Sequence, residues 1–166
     1  MFKIIQPEEL SGNVFDLIGN RWMLLTAGDR DGFNTMTVSW GGLGVLWGKE
    51  VATCYVRPQR YTRKFLEKSG FFTLSVYPEV LRDIHSVCGG MSGRDVDKAG
   101  AAGLTPVFDG NGATYFAEAE LVIVCKKIYF ADFDPANFLD GTIMGNYPER
   151  DFHRMYIGEI VEVLQR

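Results

Sequence analysis

Six stretches of the chain have the residue pattern of β-strands, and glycine or proline lies within two residues of most of them. The stretches are rich in β-branched and aromatic residues, and several alternate apolar with polar side chains, which is typical of strands that are wet on one face. They are residues 22–27, 34–40, 51–56, 71–77, 114–128 and 152–164. Successive strands that are joined by short turns pair antiparallel. We therefore expect a mainly β fold, a predominantly antiparallel barrel with a few capping α-helices.

Four segments are predicted to contain those helices. Proline suits the first helical position because its backbone dihedral is already helical, which favours helices over residues 58–68 and 78–88, each opened by a proline. A short helix is expected within residues 8–17. Residues 92–103 are expected to form a polar loop and one further short helix.

The composition limits the class of protein that this chain represents. Its 166 residues, 46% hydrophobic and 23% charged, suffice for one domain with a sizeable core, so we expect a single domain over residues 1–166. A net charge of −4 argues against a nucleic-acid partner, because phosphate-backbone binders carry excess Lys and Arg. No apolar run approaches the ~20 residues of a membrane span, and the first residues lack the pattern of a secretory signal. These features predict a cytoplasmic protein with no membrane partner.

The three cysteines do not have the spacing of a metal site or a disulfide framework. Cys54 and Cys125 lie inside apolar, strand-like stretches, so they are expected to be small buried hydrophobic residues. Cys88 precedes two glycines at the end of a predicted helix, and it is the one cysteine for which a redox role is considered.

Several familiar nucleotide and catalytic signatures are absent. The glycine-rich stretch 42–48 misses the dinucleotide fingerprint, because Trp47 occupies the position of the last glycine and no helix pattern follows. There is no Walker A loop and no nucleophile elbow. His85 and His153 are too far apart in sequence for a metal-binding helix motif.

A possible anion site begins at Arg57, at the end of a predicted strand. The helix predicted to follow would present unpaired backbone N–H groups and a partial positive charge beside the guanidinium, which together suit a phosphate. The first turns of that helix would contain Gln59, Arg60, Tyr61 and Thr62. The alternative is a solvated basic helix face, formed by Arg57, Arg60, Arg63 and Lys64.

The stretch 34–40 is a candidate surface for a planar ligand. Its alternation presents hydroxyl groups on one face and apolar groups on the other. Backbone and hydroxyl groups at a strand edge can pair with the polar edge of a heterocycle, while Met36 or Trp40 packs against the ring face. The alternative is an ordinary half-buried barrel strand whose Thr and Ser side chains face water.

Four stretches, in this order, resemble the flavin reductase-like, FMN-binding split-barrel family, and particularly its flavoredoxin-like branch. They are NTMTVSWGGLGVLWGKE, VRPQRYTRKFLEKSGFFTLSVY, SGRDVDKAGAAGLTPVF and DFHRMYIGEIVEVL. The resemblance implies a six-stranded antiparallel Greek-key split barrel, a homodimer, and FMN held noncovalently near the subunit interface. Members of the family either reduce flavin with a nicotinamide nucleotide or pass electrons through the bound flavin.

The resemblance also implies which residues bind the cofactor. Those that would line the isoalloxazine ring are Asn34, Thr35, Met36, Thr37, Ser39 and Trp40. Those that would hold the phosphate and ribityl chain are Arg57, Tyr61 and Thr62. A loop would approach from another side with Ser92, Gly93, Arg94 and Lys98, and Lys98 would stabilise negative charge at the N1/O2 end of the reduced ring. His153 would lie near the ring or the incoming nucleotide, whereas His85 is expected on a helix surface.

The expected function is therefore that of an NAD(P)H-dependent flavin reductase. NADH or NADPH would deliver a hydride to the flavin, and no protein acid or base would be essential, in keeping with the lack of a catalytic dyad or triad. One alternative is an electron carrier that keeps FMN and exchanges electrons with a redox partner protein. Another is a non-catalytic barrel that binds flavin or haem.

Overall fold

Ten β-strands and three short α-helices form the regular structure in the computed structural model, which describes residues 1–166. The strands are β1 (Lys3–Ile5), β2 (Met23–Asp29), β3 (Gly32–Val38), β4 (Gly41–Leu46), β5 (Lys49–Val56), β6 (Phe71–Val76), β7 (Pro106–Phe108), β8 (Thr114–Phe116), β9 (Leu121–Asp132) and β10 (Arg154–Gln165). The helices are α1 (Thr62–Lys68), α2 (Ile84–Gly90) and α3 (Lys98–Ala101). Short helical segments of 3-10 or π type lie at Pro7–Glu9, Asp16–Asn20, Glu79–Leu81, Pro135–Asn137 and Gly141–Asn146. A membrane-crossing helix, which must be long and apolar, is not among these elements.

Antiparallel pairing joins eight of the strands into one sheet. The order is β3-β2-β6-β9-β10-β5-β4, and β1 pairs with β10 as well. Strands β7 and β8 form a separate ribbon. The two ends of the main order, β3 and β4, are consecutive in the chain and are joined only by Ser39 and Trp40. This two-residue link is where the candidate site lies.

The hairpin between β2 and β3 depends on a glycine. Gly28 has a backbone φ of +105°, and a Cβ atom there would lie 2.2 Å from the carbonyl oxygen of Gly32. Only glycine tolerates both the left-handed backbone and the close approach. The tight hairpin fixes the register of β3 against β2 and thus which side chains of β3 reach each face.

The two faces of the sheet carry separate apolar clusters. A cluster of 19 buried residues includes Met36, Val38 and Phe72, and a cluster of 12 includes residues of α2, α3 and β8. Because strand side chains alternate, Met36 and Val38 join the first cluster while Thr37 between them faces α2. The packing of α2 against β3 therefore brings its side chains to the polar face of that strand.

The expected fold class is confirmed, since the structure is a mainly antiparallel β fold with a few short helices. Each of the six predicted strands is present. The structure adds β1, β4 and β7 and divides one predicted strand in two, so there are ten strands rather than six. The predicted strand over 114–128 is divided into β8 and β9, because the chain turns at residues 117–120.

The predicted helix boundaries were wrong in three places. Residues 58–61 form turns, and α1 begins at Thr62 rather than at Pro58. The segment 78–88 is divided between a 3-10 turn and α2. The helix expected within residues 8–17 is displaced to residues 14–20, where its last turns are of π type. In the first two places proline begins a turn that precedes the helix.

Candidate functional site

A cleft of about 330 Å³, called here the central cleft, opens beside the link between β3 and β4. It is lined by residues of β3 and the link after it, α2, the turn after β5, and the segments before β2 and β10. These residues are Trp22, Met36, Thr37, Ser39, Arg57, Arg60, His85, Gly89 and His153. A smaller extension of about 190 Å³ continues past Trp40 and Tyr55. The two cavities share five residues, so they form one continuous concave surface.

His85 forms one wall of the central cleft. The Thr37 hydroxyl donates to the backbone carbonyl oxygen of His85 at 3.0 Å and lies 3.3 Å from the imidazole Nδ1. His85 is only 5% exposed, and burial, assisted by the positive charge of Arg82, lowers its pKa to about 4. The expectation of a helix-surface histidine was therefore wrong: α2 turns this side chain inward onto β3, where it is uncharged at neutral pH.

His153 forms another wall and is held by an aromatic pair. Its Nδ1 lies 2.7 Å from the hydroxyl oxygen of Tyr147, and its ring centroid lies 5.2 Å from that of Trp40. Burial, followed by the nearby charge of Arg57, lowers the pKa of His153 to about 4. The cleft thus contains two neutral imidazoles.

Arg57 lines the cleft but is already paired within the protein. Its Nη1 donates to Asp151 Oδ2 at 2.6 Å and its Nη2 donates to the Asn146 carbonyl oxygen at 2.8 Å. Gln59 Nε2 donates to the same carboxylate oxygen at 2.6 Å. These bonds from Gln59 and Arg57 lower the pKa of Asp151, so the carboxylate is charged at neutral pH. Arg57 thereby fastens residues 141–151 to the turn that follows β5.

Arg60 and Lys98 form a basic corner next to the central cleft, in a cavity of about 160 Å³ that Tyr61 and Ser92 also line. Arg60 Nη1 donates to the Gly89 carbonyl oxygen at 2.9 Å. Lys98 Nζ donates to the carbonyl oxygens of Thr35 and Cys88 at 3.0 and 2.8 Å. Neither cation forms a salt bridge with a carboxylate.

The electrostatics of the basic corner favour an anion. Lys98 is only 4% exposed, and burial, followed by the repulsion of Arg60, lowers its pKa to about 8. Burial also lowers the pKa of Arg60. Two partly desolvated cations that repel each other are stabilised when a negative charge lies between them. Within the site, the basic corner is where a negatively charged group of a ligand would be stabilised most.

The short helix α1 does not begin directly after Arg57, as its sequence suggested. It has seven residues and begins at Thr62, so Arg57 lies a full turn before it. Thr62 is fully buried and accepts a hydrogen bond from Asn34 Nδ2 at 2.8 Å. Thr35 is likewise buried, and Thr26 Oγ1 lies 3.0 Å from its hydroxyl oxygen. These side chains hold α1 and β2 against β3.

The loop that carries Lys98 packs closely on β3. A Cβ atom at Gly93 would lie 2.0 Å from Asn34 Oδ1 and 2.9 Å from the Tyr61 ring, so only glycine fits there. Arg94 donates to the Gln59 carbonyl oxygen at 3.2 Å, and its guanidinium lies 4.9 Å from the centre of the Tyr61 ring. Residues of this loop also line an outer cleft of about 720 Å³.

The sequence-predicted site residues are distributed over these adjoining surfaces. Those in the central cleft and its extension are Met36, Thr37, Ser39, Trp40, Arg57 and His153. Those in the basic corner are Tyr61, Ser92 and Lys98. Those that line the outer cleft are Asn34, Thr35, Gly93 and Arg94, with Lys98 shared between the outer cleft and the corner. Thr62 lines none of these surfaces and is buried beneath them.

Four residues of the central cleft were not among the predicted ligands: Trp22, Arg60, His85 and Gly89. Arg60 was visible in the sequence, but its spacing from other basic residues also fitted a solvated helix face. Trp22 has a backbone φ of +63°, a strained conformation for a non-glycine residue that no sequence pattern reveals. His85 and Gly89 enter the cleft only because α2 packs on β3.

Comparison with known proteins agrees with this architecture. The model of the flavin reductase like domain family matches residues 15–166. A search among curated proteins finds no match.

Three solved structures illustrate the shared fold. Flavoredoxin from Methanosarcina acetivorans is 20% identical with a TM-score of 0.71, over 98% of this chain and 76% of that one. An FMN-binding domain of a flavin reductases-like enzyme from Shewanella baltica is 18% identical with a TM-score of 0.70, over 99% of this chain and 77% of that one. A flavin reductase with a split barrel domain, described as putative, from Shewanella frigidimarina is 18% identical with a TM-score of 0.69, over 96% and 76%. On the family match and the shared split-barrel fold, the chain belongs to the flavin reductase like domain family.

Proposed function

We propose that this protein binds FMN noncovalently and that a nicotinamide nucleotide, NADH or NADPH, reduces the bound flavin. The observation that carries the proposal is the basic corner, where Arg60 and the buried Lys98 repel each other and lack a carboxylate partner. A phosphate monoester offers the negative charge and the acceptor oxygens that these two side chains can use. The FMN-binding domain from Shewanella baltica shares the fold, which supports the same ligand class for this chain.

The residues present fit the parts of FMN. The phosphate would lie in the basic corner, with Arg60, Lys98 and the Ser92 hydroxyl as donors. The ring would lie in the adjoining central cleft along β3, where Thr37 and Ser39 offer hydroxyl groups and Met36 an apolar surface. Arg60 lines both cavities and would therefore lie between the two parts of the ligand.

When bound, FMN supplies the redox centre that accepts a hydride from the nicotinamide. The protein side chains bind the flavin and orient it. Arg60 and Lys98 neutralise the phosphate, while the neutral imidazoles of His85 and His153 add hydrogen-bonding groups to the cleft without adding charge. Trp22 lines the central cleft and Trp40 its extension, where their rings would shield the bound flavin ring from water. No acid or base of the protein is required for hydride transfer.

The absorption spectrum of the freshly purified protein, followed by calorimetric titration with FMN, tests the cofactor. Steady-state oxidation of NADH and NADPH by the flavin-loaded protein tests the reaction. We expect saturable FMN binding and rapid oxidation of one nicotinamide nucleotide. A colourless protein that does not bind FMN would refute the whole proposal. Tight FMN binding with slow nicotinamide oxidation, unaffected by free flavin, would instead indicate an electron carrier with a protein partner.

We further propose that the protein is a homodimer. Large apolar side chains are exposed around the β4–β5 turn, where Val45 is 73%, Trp47 61% and Tyr129 45% exposed. The rings of Trp47 and Tyr129 are in contact at 5.9 Å, and such a surface favours burial against a second copy. Sedimentation equilibrium should give twice the chain mass, and Trp47→Lys should shift the protein towards the monomer. A wild-type monomer would contradict the proposal.

A further inference from the structure

A second concave surface, called here the neutral groove, lies next to the central cleft. Its volume is about 690 Å³, within the range of roughly 300–1,000 Å³ that is usual for small-molecule sites. Nine of its 14 lining residues are hydrophobic, and none is Arg, Lys, His, Asp or Glu. Its walls include Phe15, Ile18, Phe133 and Ile143.

The absence of charge sets the neutral groove apart from its neighbours. The central cleft, its extension, the basic corner and the outer cleft each contain at least one Arg or Lys side chain. A phosphate or carboxylate has no partner in the neutral groove, and its desolvation there would oppose binding. The occupant that fits best is therefore an uncharged molecule with a large apolar surface.

Two features of the neutral groove select further for a flat molecule with a carbonyl group. Five of the lining residues are aromatic, which favours stacking with a planar partner. Ser39 and Tyr55 also line the groove, and each carries a hydroxyl group. Each can donate a hydrogen bond to a carbonyl oxygen.

The neutral groove is continuous with the redox site proposed above. Ser39, Trp40 and Tyr55 line both the groove and the extension of the central cleft. Trp40 is 48% exposed, and its ring packs on His153 of the central cleft. A molecule bound in the groove would therefore touch the same three residues that border the cleft.

We propose that the neutral groove is a binding site for an uncharged, planar aromatic carbonyl compound, held beside the central cleft. This assignment goes beyond the proposed function, which concerns FMN and a nicotinamide nucleotide. It depends on that function only for what occupies the neighbouring cleft. Binding in the groove itself requires only the residues described here.

The test compares two ligands that share one ring system. Acetylnaphthalene carries an uncharged ketone, whereas naphthoate carries a carboxylate. Titration of the full-length protein, followed by calorimetry and by amide NMR shifts, should show saturable binding of acetylnaphthalene and at least about tenfold weaker binding of naphthoate, because a carboxylate is costly to bury unpaired.

A charge placed in the groove should change this preference. Ile143→Arg should weaken acetylnaphthalene binding by about tenfold or more and improve naphthoate binding. Leu139→Arg is the matched control, because Leu139 is 99% exposed and does not line the groove. This variant should bind both ligands as the wild type does. The selectivity of the wild-type protein tests the proposal even if Ile143→Arg does not fold.

Three results would overturn the proposal. The first is that acetylnaphthalene fails to saturate the wild-type protein. The second is that it binds Ile143→Arg as tightly as the wild type. The third is that Ile143→Arg is a monomer while the wild type and Leu139→Arg are dimers, which would show that a second copy covers the groove. An FMN titration of the same samples separates the two proposals, since loss of FMN binding with intact ketone binding would refute the redox function alone.

Discussion

Arg57 and Arg60 are three residues apart and both line the central cleft, yet their charges have different surroundings. Arg57 is paired with Asp151 and also bonds the Asn146 carbonyl. Arg60 bonds only the Gly89 carbonyl oxygen, and its charge opposes that of Lys98. A paired arginine holds two segments of chain together, whereas the half-buried Arg60 and the buried Lys98, which lack a carboxylate partner, would be stabilised by the negative charge of a ligand. The two regions should therefore respond differently to substitution.

The largest effect on cofactor binding is expected for Lys98→Met, which keeps the length of the side chain and removes its charge. Loss of a hydrogen bond from a charged donor should weaken FMN binding by about 2–3 kcal/mol, or roughly 30- to 150-fold. Calorimetric titration measures the change. Riboflavin, which lacks the phosphate, is the control ligand and should lose much less affinity. An equal loss of affinity for FMN and for riboflavin would show that Lys98 does not contact the phosphate.

Arg60→Gln should have the next largest effect, a loss of roughly tenfold or more in FMN affinity. Since Arg60 repels Lys98, the same substitution should raise the pKa of Lys98 from about 8, as measured by NMR of the lysine ε-methylene group. Arg63→Gln is the matched control, because Arg63 pairs with Glu67 outside the cleft. An unchanged Lys98 pKa in Arg60→Gln would mean that the two cations do not form one anion site.

A pH titration should separate ligand binding from protein stability. Below about pH 8 Lys98 is protonated, and FMN affinity should be nearly constant; above it affinity should fall, by up to about tenfold per pH unit. The free energy of unfolding should change in the opposite direction. Between about pH 8 and the higher pKa of an unfolded lysine, the unfolded state binds more protons, so stability rises with pH. Both trends should be absent in Lys98→Met.

The smallest effect on affinity is expected for Arg57→Ala, because this guanidinium is engaged by Asp151. FMN binding should weaken by less than about threefold, well below the loss expected when a charged hydrogen bond to the ligand is removed. Amide hydrogen exchange within residues 141–151 should become faster, because the pair fastens that segment. Asp151→Asn should reproduce the faster exchange. An affinity loss as large as that of Lys98→Met would show that Arg57 also contacts the phosphate.

Much of the fold could be predicted because its strands are marked by local patterns. The six predicted strands have period-two or β-rich sequences bounded by turn residues, and all six are present. Strand β4 could not be found in this way, because Gly41, Gly42 and Gly44 have little intrinsic β-propensity and the strand forms by pairing with β5. The start of α1 was also hidden, since a turn in which Arg60 N–H bonds the Arg57 carbonyl separates Pro58 from the helix.

The candidate site was only partly predictable, for reasons of long-range pairing. The chemistry of β3 was visible in its own sequence, which pointed to Met36, Thr37 and Ser39, and these residues line the central cleft. The different roles of Arg57 and Arg60 were not visible, because the carboxylate that pairs with Arg57 is 94 residues away in the chain. The inward orientation of His85 depends likewise on its contact with Thr37, 48 residues away. Sequence patterns identify which groups are available, and tertiary packing decides which of them are already bound.

Strands β3 and β4 are the two ends of the sheet, and only Ser39 and Trp40 connect them. A ligand bound at this link would join two strands that no backbone hydrogen bonds hold together. Such a ligand binds the folded chain and not the unfolded one, so every molecule bound shifts the equilibrium away from global opening. Thermal denaturation in the presence of graded cofactor concentrations would then report occupancy directly, and cellular cofactor supply would help to set the lifetime of the protein.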